Sequence, residues 1–170
     1  GLPFHRVYMQ GSPSTAVVEK LPDTRMKIPL GFRANYFIGD KVILRSFYRY
    51  YTDDWGLSSH TIQLESAVKV SPFLSITPFY RYYTQTAVDY FAPYLNHKTT
   101  DAYFTSNYDL SAFNSNFYGA GFRITPARGV FGIQRLSMLE LRYGHYTRTT
   151  GLRSEEHTSE LQSHSDLVCR

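Results

Sequence analysis

The residues with the most chemistry to offer are cations set at alternate positions. Arg33, Arg45, Arg49, Lys69, Arg81, Arg123, Arg142 and Arg148 each fall out of phase with apolar neighbours, and Glu65 and Glu140 share their phase. Successive side chains of a strand point to opposite sides, so this pattern gathers the charges on one face of extended chain. A cationic face of that kind draws anionic solutes through its field. The same side chains also suit a network of Arg–Glu and Arg–Tyr contacts that fills a narrow interior and conducts nothing.

Three other chemistries are weighed and set aside. Asp53, Asp54, His60 and His145 supply the carboxylates and imidazoles that a hydrolase would use, but no Gly-x-Ser-x-Gly or other nucleophile motif accompanies them. Asp53-Asp54 before Trp55-Gly56 is an ordinary turn composition, so no catalytic residue is assigned. Asn107, Asp109 and Ser111 alternate like the start of a calcium loop. Ala112, however, stands where the turn glycine belongs, and Tyr118 where the bidentate glutamate belongs, so neither metal nor other cofactor is expected. The net charge of +6 over residues 1–152 and the aromatics among the arginines raise nucleic acid as a partner. These arginines alternate with apolar groups along strands instead of gathering in a patch, so no nucleic acid is expected.

The elements that carry these residues read as strands. Residues 61–70 set Ile62, Leu64, Ser66, Val68 and Val70 against Thr61, Gln63, Glu65, Ala67 and Lys69. The same period runs through Ile28 to Ile38, Lys41 to Tyr51, Phe73 to Thr84, Asn116 to Ile124 and Ser137 to Arg148, about six strands in all. Each has ~9–12 residues, the length of a tilted bilayer-spanning strand. Gly39-Asp40 and Ser71-Pro72 read as tight turns, Thr125 to Gly132 as a medium turn, Thr52 to Ser59 as a longer loop and Gln85 to Ser115 as a long one. Short turns on one side and long loops on the other is the arrangement of outer-membrane barrels. Tyr48, Tyr50, Tyr80, Tyr82, Tyr118 and Tyr143 fall near the long-loop edge, where an aromatic girdle meets lipid headgroups. The string FYRYYT at 47–52 recurs at 79–84, an internal echo that keeps strand direction and side-chain parity.

Composition narrows the class further. A chain of 170 residues suits one domain, and 16% aromatic residues, with 15 Tyr and 12 Phe, exclude a disordered chain. No run of ~18 apolar residues marks a membrane helix. The single Cys excludes a disulfide scaffold and a four-cysteine zinc site. Residues 153–170, RSEEHTSELQSHSDLVCR, break from the preceding text and read as the in-frame translation of a sequencing adapter. Without that tail the net charge is +6 and no Cys remains, which suits an exported protein.

The strings FYRYYTDDWG at 47–56, PFYRYYTQTAVDYFAPY at 78–94, NYDLSAF at 107–113 and LELRYGHYTRTTGL at 139–152 together resemble one bacterial family, catalogued as domain of unknown function 3570. The resemblance runs from about Leu30 to Leu152. It implies an exported outer-membrane β-barrel of a Gram-negative bacterium, longer than this chain, with a signal peptide and additional strands. It brings no catalytic residues with it.

The resulting expectation is an all-β, antiparallel up-and-down sheet forming part of a transmembrane outer-membrane β-barrel. Residues 1–27 form an upstream segment, 28–152 the partial barrel and 153–170 the adapter tail. The opening Gly1-Leu2-Pro3-Phe4 reads as the start of an internal piece; Phe4 to Gln10 would then end an earlier strand, before a loop with Pro13 and Pro22. About six strands fall short of the eight that usually close a barrel. The expected role is passive transport of anionic solutes, or a structural or surface-binding one, with outer-membrane lipid and a small anionic solute or surface ligand as partners. A soluble exported β-sandwich that binds through its Tyr-rich loop is the alternative, and an outer-membrane hydrolase the third class.

Overall fold

A computed structural model of the chain describes residues 5–127, 129–130 and 137–151. The tail at 153–170 lies outside the described residues, as do Phe4, Leu152 and part of the 125–132 turn. The architecture is all-β. A small antiparallel pair, β1 (Arg6–Tyr8) and β2 (Ala16–Val18), precedes six long strands, β3 (Lys27–Ile38), β4 (Val42–Asp53), β5 (Ser58–Ser71), β6 (Leu74–Gln85), β7 (Phe113–Ile124) and β8 (Leu139–Thr150). These six form one antiparallel sheet in sequential order, an up-and-down meander that is not closed.

All six expected strands are present, and most extend further toward the long-loop end. Residues such as Thr52, Ser58, Asn114 and Thr149 are paired in the ladder although the apolar alternation has ended there. Apolar and polar residues no longer alternate regularly at that level, as Phe113 among Gln85, Asn114 and Thr150 shows, so the backbone pairing continues where the sequence signal stops. The connection at 54–57 is consequently short, and 86–112 is the one long loop joining described strands at that end. The pairing of β1 is local: Arg6, Val7 and Tyr8 bond to β2 rather than joining the large sheet.

The sheet is a single curved layer. Arg142 of β8 reaches Glu65 of β5 although β6 and β7 lie between them, so the charged face is concave. Two glycines make room on that face. A Cβ at Gly119 would strike the carbonyl oxygen of Tyr143 and the Phe79 ring, and one at Gly144 would meet Phe117 at 2.7 Å. Gly119 and Gly144 are cross-strand partners, and the Phe79 ring fills the space they leave, being 6% exposed. An aromatic ring laid over strand glycines restores contact that the missing side chains would have supplied.

Apart from Phe79, the apolar core lies mostly in the cap at the long-loop end. Val7, Met9 and Phe104 form one cluster. Trp55, Leu57 and Val88 form another, against which Leu21, Tyr51, Tyr90, Phe91 and Leu110 pack. Backbone bonds between Lys20 and Phe104, and from Gln10 to His97, tie residues 5–26 to the long loop. The loop is therefore a folded unit, held by apolar burial worth ~1.5–3 kcal/mol per large side chain.

Candidate functional site

Cross-strand register fixes which residues share a face. One row runs Gly31, Arg49, Thr61, Tyr83, Ser115, Arg148, and the next runs Arg33, Phe47, Gln63, Arg81, Phe117, Tyr146. Below them lie Arg45 opposite Glu65, Lys69 opposite Ser75, Gly121 opposite Arg142 and Arg123 opposite Glu140. Arg33, Arg45, Arg49, Glu65, Lys69, Arg81, Arg123, Glu140, Arg142 and Arg148 thus all stand on the concave face.

The carboxylates of this face are already engaged. Glu65 holds Arg45 at 2.8 Å and Arg142 at 3.4 Å, and Glu140 holds Arg123 at 2.8 Å. Arg148 turns to the long loop, donating to the Asp109 carboxylate at 2.9 Å and the Tyr108 carbonyl at 2.7 Å. Arg33, Arg49, Lys69 and Arg81 have no carboxylate partner among the described residues. Two of them rest on aromatic rings, Arg33 on Phe47 and Arg81 on Phe117. Cavities line the face: one of about 660 Å³ at the short-turn end, around Arg45, Glu65, Lys69, Arg123, Glu140 and Arg142, and another of about 420 Å³ nearer the loop.

The opposite, convex face is apolar and open. Leu30, Phe32, Tyr36 and Ile38 on β3 are each more than half exposed, and Leu44, Ile62, Leu64, Phe122 and Leu141 continue the surface. Tyr48, Tyr50, Tyr80, Tyr82, Tyr118 and Tyr143 all stand on this face. They do not follow one hydrogen-bonded row. Tyr48 is level with Ile62 and Tyr82, Tyr80 with Tyr118, and Tyr143 with Ala120 and Pro78, a step lower. The band therefore descends by about one residue per strand. With ~3.3 Å per residue and ~4.8 Å between strands, that slope corresponds to strands tilted by roughly 35–40°. On the loop side of the band the convex face turns polar, with Thr84, Asn114, Asn116, Thr147 and Thr149. Tyr80 donates to Asn116, and Tyr48 bonds His60, across this boundary.

At the rim, Asp53 ends β4 on the loop side of the tyrosines. Its side chain is fully buried and accepts from Arg25 at 2.5 Å, from the Tyr51 hydroxyl, and from the Trp55 and Leu57 amides. Burial pushes its carboxyl upward, but these hydrogen bonds and the Arg25 charge outweigh it and hold the carboxyl below its usual value. Arg25 also lies over the Trp55 ring, whose indole donates to the Thr24 carbonyl. Gly56, at φ 81°, makes the turn in a left-handed conformation that disfavours any side chain, and a Cβ there would also displace the Asp89 carboxylate.

The residues considered for hydrolysis do not converge. Asp53 serves the rim contacts, Asp54 accepts the Met26 amide, and His60 and His145 lie on the convex face on β5 and β8, with β6 and β7 between them. Asn107 and Ser111 cap a short 3-10 turn, Tyr108–Leu110, and Asp109 receives Arg148. Their alternation belongs to that cap. The Gln85 amide donates to the Asp109 and Ser111 carbonyls, which folds the turn over the loop end of the concave face. Nothing in the sequence signalled this placement, because it depends on side chains from β6 and β8 meeting a loop.

The chain belongs to a family described as "Protein of unknown function (DUF3570)", whose model matches residues 5–156. No curated protein and no solved structure matches the chain.

Proposed function

We propose that this family member forms part of the wall of a β-barrel in the outer membrane of a Gram-negative bacterium, and that the barrel passes small anionic solutes passively. The convex face would meet lipid and the concave face would line the lumen. A single observation carries this reading: the ten charges occupy one face, while the other is apolar and edged by a slanted band of tyrosines. Barrel strands tilt by 35–45°, so a level girdle must cross the hydrogen-bonded rows at a slant, and the observed slope agrees. A charge turned to lipid at mid-depth costs ~2–4 kcal/mol, which accounts for the sorting of arginine to the other face.

A structural or surface-binding role is the second reading. The folded cap favours it, because Tyr94, Tyr103 and Tyr108 remain exposed on a loop whose backbone is held by the 5–26 segment. One experiment separates the possibilities. The intact protein is fractionated, and its outer-membrane fraction is run on a gel with and without boiling, then reconstituted in a planar bilayer. A boiling-dependent shift with anion-selective conductance supports the porin reading. A shift without conductance supports the surface role, and a soluble, unshifted protein overturns the membrane assignment.

A further inference from the structure

We infer that the loop end of the concave face is a binding site for a small aromatic carboxylate. The cavity of about 420 Å³ there is lined by Arg49, Thr61, Arg81, Tyr83, Phe117 and Tyr146, with Ser115 and Phe113 completing the wall. Its size lies within the range of small-molecule pockets. The inference rests on the barrel reading above, which makes this face a lumen that solutes reach.

Charge comes first. Arg49 stands directly opposite Thr61 on β5, Arg81 lies one side-chain step lower on β6, and both arginines line the cavity. Arg45, Arg123, Arg142 and Arg148 each have a carboxylate, whereas these two have none among the described residues. Thr61 is 5% exposed, and its hydroxyl, itself buried, has no hydrogen-bond partner among the described residues. Two forked guanidiniums suit the planar, bidentate geometry of a carboxylate.

Shape supplies the rest. Arg81 rests on the Phe117 ring at 5.0 Å, and the Tyr83 and Phe113 rings stand 5.5 Å apart beside it. Chloride or phosphate would use the arginines alone and make no use of the Tyr83, Phe113, Phe117 and Tyr146 rings that line the wall. A benzoate-like anion uses both. Toward the Tyr108–Leu110 turn, a smaller cavity lined by Asp109 and Leu110 shares Arg49 and Tyr83 with it.

The test is equilibrium dialysis of labelled benzoate against the intact protein in detergent, after the boiling-dependent gel shift has been scored. Benzyl alcohol serves as the neutral competitor. Saturable benzoate binding is expected, uncontested by benzyl alcohol. Arg49→Gln or Arg81→Gln should weaken it by about tenfold or more, the loss of one charge-assisted contact. Arg6→Gln, which removes an exposed cation from β1, should leave binding unchanged. A heat-modifiable protein that binds no benzoate overturns the site and leaves the barrel standing. Binding that survives both arginine substitutions, or falls equally with Arg6→Gln, also overturns the site. A protein without the gel shift overturns the barrel reading beneath it.

Discussion

The Arg142 guanidinium of β8 reaches the Glu65 carboxylate of β5 at 3.4 Å, although two strands separate them in the sheet. Glu65 simultaneously holds Arg45 on its neighbour β4 at 2.8 Å. One acid therefore bridges cations from both sides of the curved face and neutralises part of a surface in which cations outnumber carboxylates.

That position makes Glu65 a control point for charge rather than for stability. Both arginines are about half exposed, and pairs of that kind contribute ~0.2–1 kcal/mol. Glu65→Gln should change unfolding stability by about 1 kcal/mol or less. It should raise chloride-over-potassium selectivity, because two guanidiniums lose their counter-charge while keeping their places. Reversal potentials across a salt gradient measure this. An unchanged potential would place Glu65 outside the conducting space.

The glycines of β7 give a sharper steric test. A Cβ at Gly119 collides with the Tyr143 backbone, whereas one at Gly121 finds only ordinary contacts at 3.8–4.0 Å with Thr77 and Arg142. Gly119→Ala should therefore lose the boiling-dependent gel shift or cost several kcal/mol. Gly121→Ala should fall within ~0.5 kcal/mol of the parent, as substitutions without a named defect do. Phe79→Ala should approach Gly119→Ala in severity, at ~3–5 kcal/mol, because it empties the space over both glycines. Denaturant titration of the folded protein in detergent ranks the three. Equal effects at 119 and 121 would contradict the close approach of β7 and β8.

Much of this frame was legible in the sequence, and the reason is the period of a strand. Alternation separates Arg45 and Arg49 from Leu44 and Tyr48 without any tertiary knowledge, so all ten charges and all six tyrosines could be assigned to opposite faces. What could not be read is the contact between strands distant in order. Glu65 and Arg142 share parity, but only curvature brings them together. The start of β7 was equally hidden, because Phe113 and Phe117 stand on the charged face there while Asn114 and Asn116 stand on the other, the reverse of the alternation elsewhere. The cap was the least legible part. Asn107, Asp109 and Ser111 carry a spacing that suits a metal loop, and only the fold reveals that they cap a turn held by Gln85 and Arg148.

That turn has a functional consequence. Arg148 grips both the Asp109 side chain and the Tyr108 carbonyl, and its guanidinium lies over the Phe113 ring at 3.8 Å. Arg148→Gln should free the Tyr108–Leu110 turn from the concave face. The expected result is a larger single-channel conductance together with faster amide exchange at residues 108–111. Faster exchange with unchanged conductance would mean that the turn does not narrow the path.

The rim supplies a pH prediction with a built-in reporter. Trp55 is the chain's single tryptophan, and it lies between Arg25 and the loop residue Tyr90. Asp53 fixes this arrangement by accepting from Arg25 and from the Trp55 and Leu57 amides. Although burial acts against ionisation, those contacts leave its folded carboxyl below the usual value. A group whose folded pKa is depressed contributes stability above its unfolded pKa, ~3.9 for aspartate, and loses it as pH falls through the folded value. Trp55 emission should therefore hold steady through neutral and mildly acidic pH, then shift to the red below about pH 4 as water reaches the ring. Asp53→Asn should show the red-shifted spectrum already at neutral pH, since the amide leaves Arg25 without its counter-charge. A wild-type transition near pH 6 would assign the change to another group and remove Asp53 as the clasp of the rim.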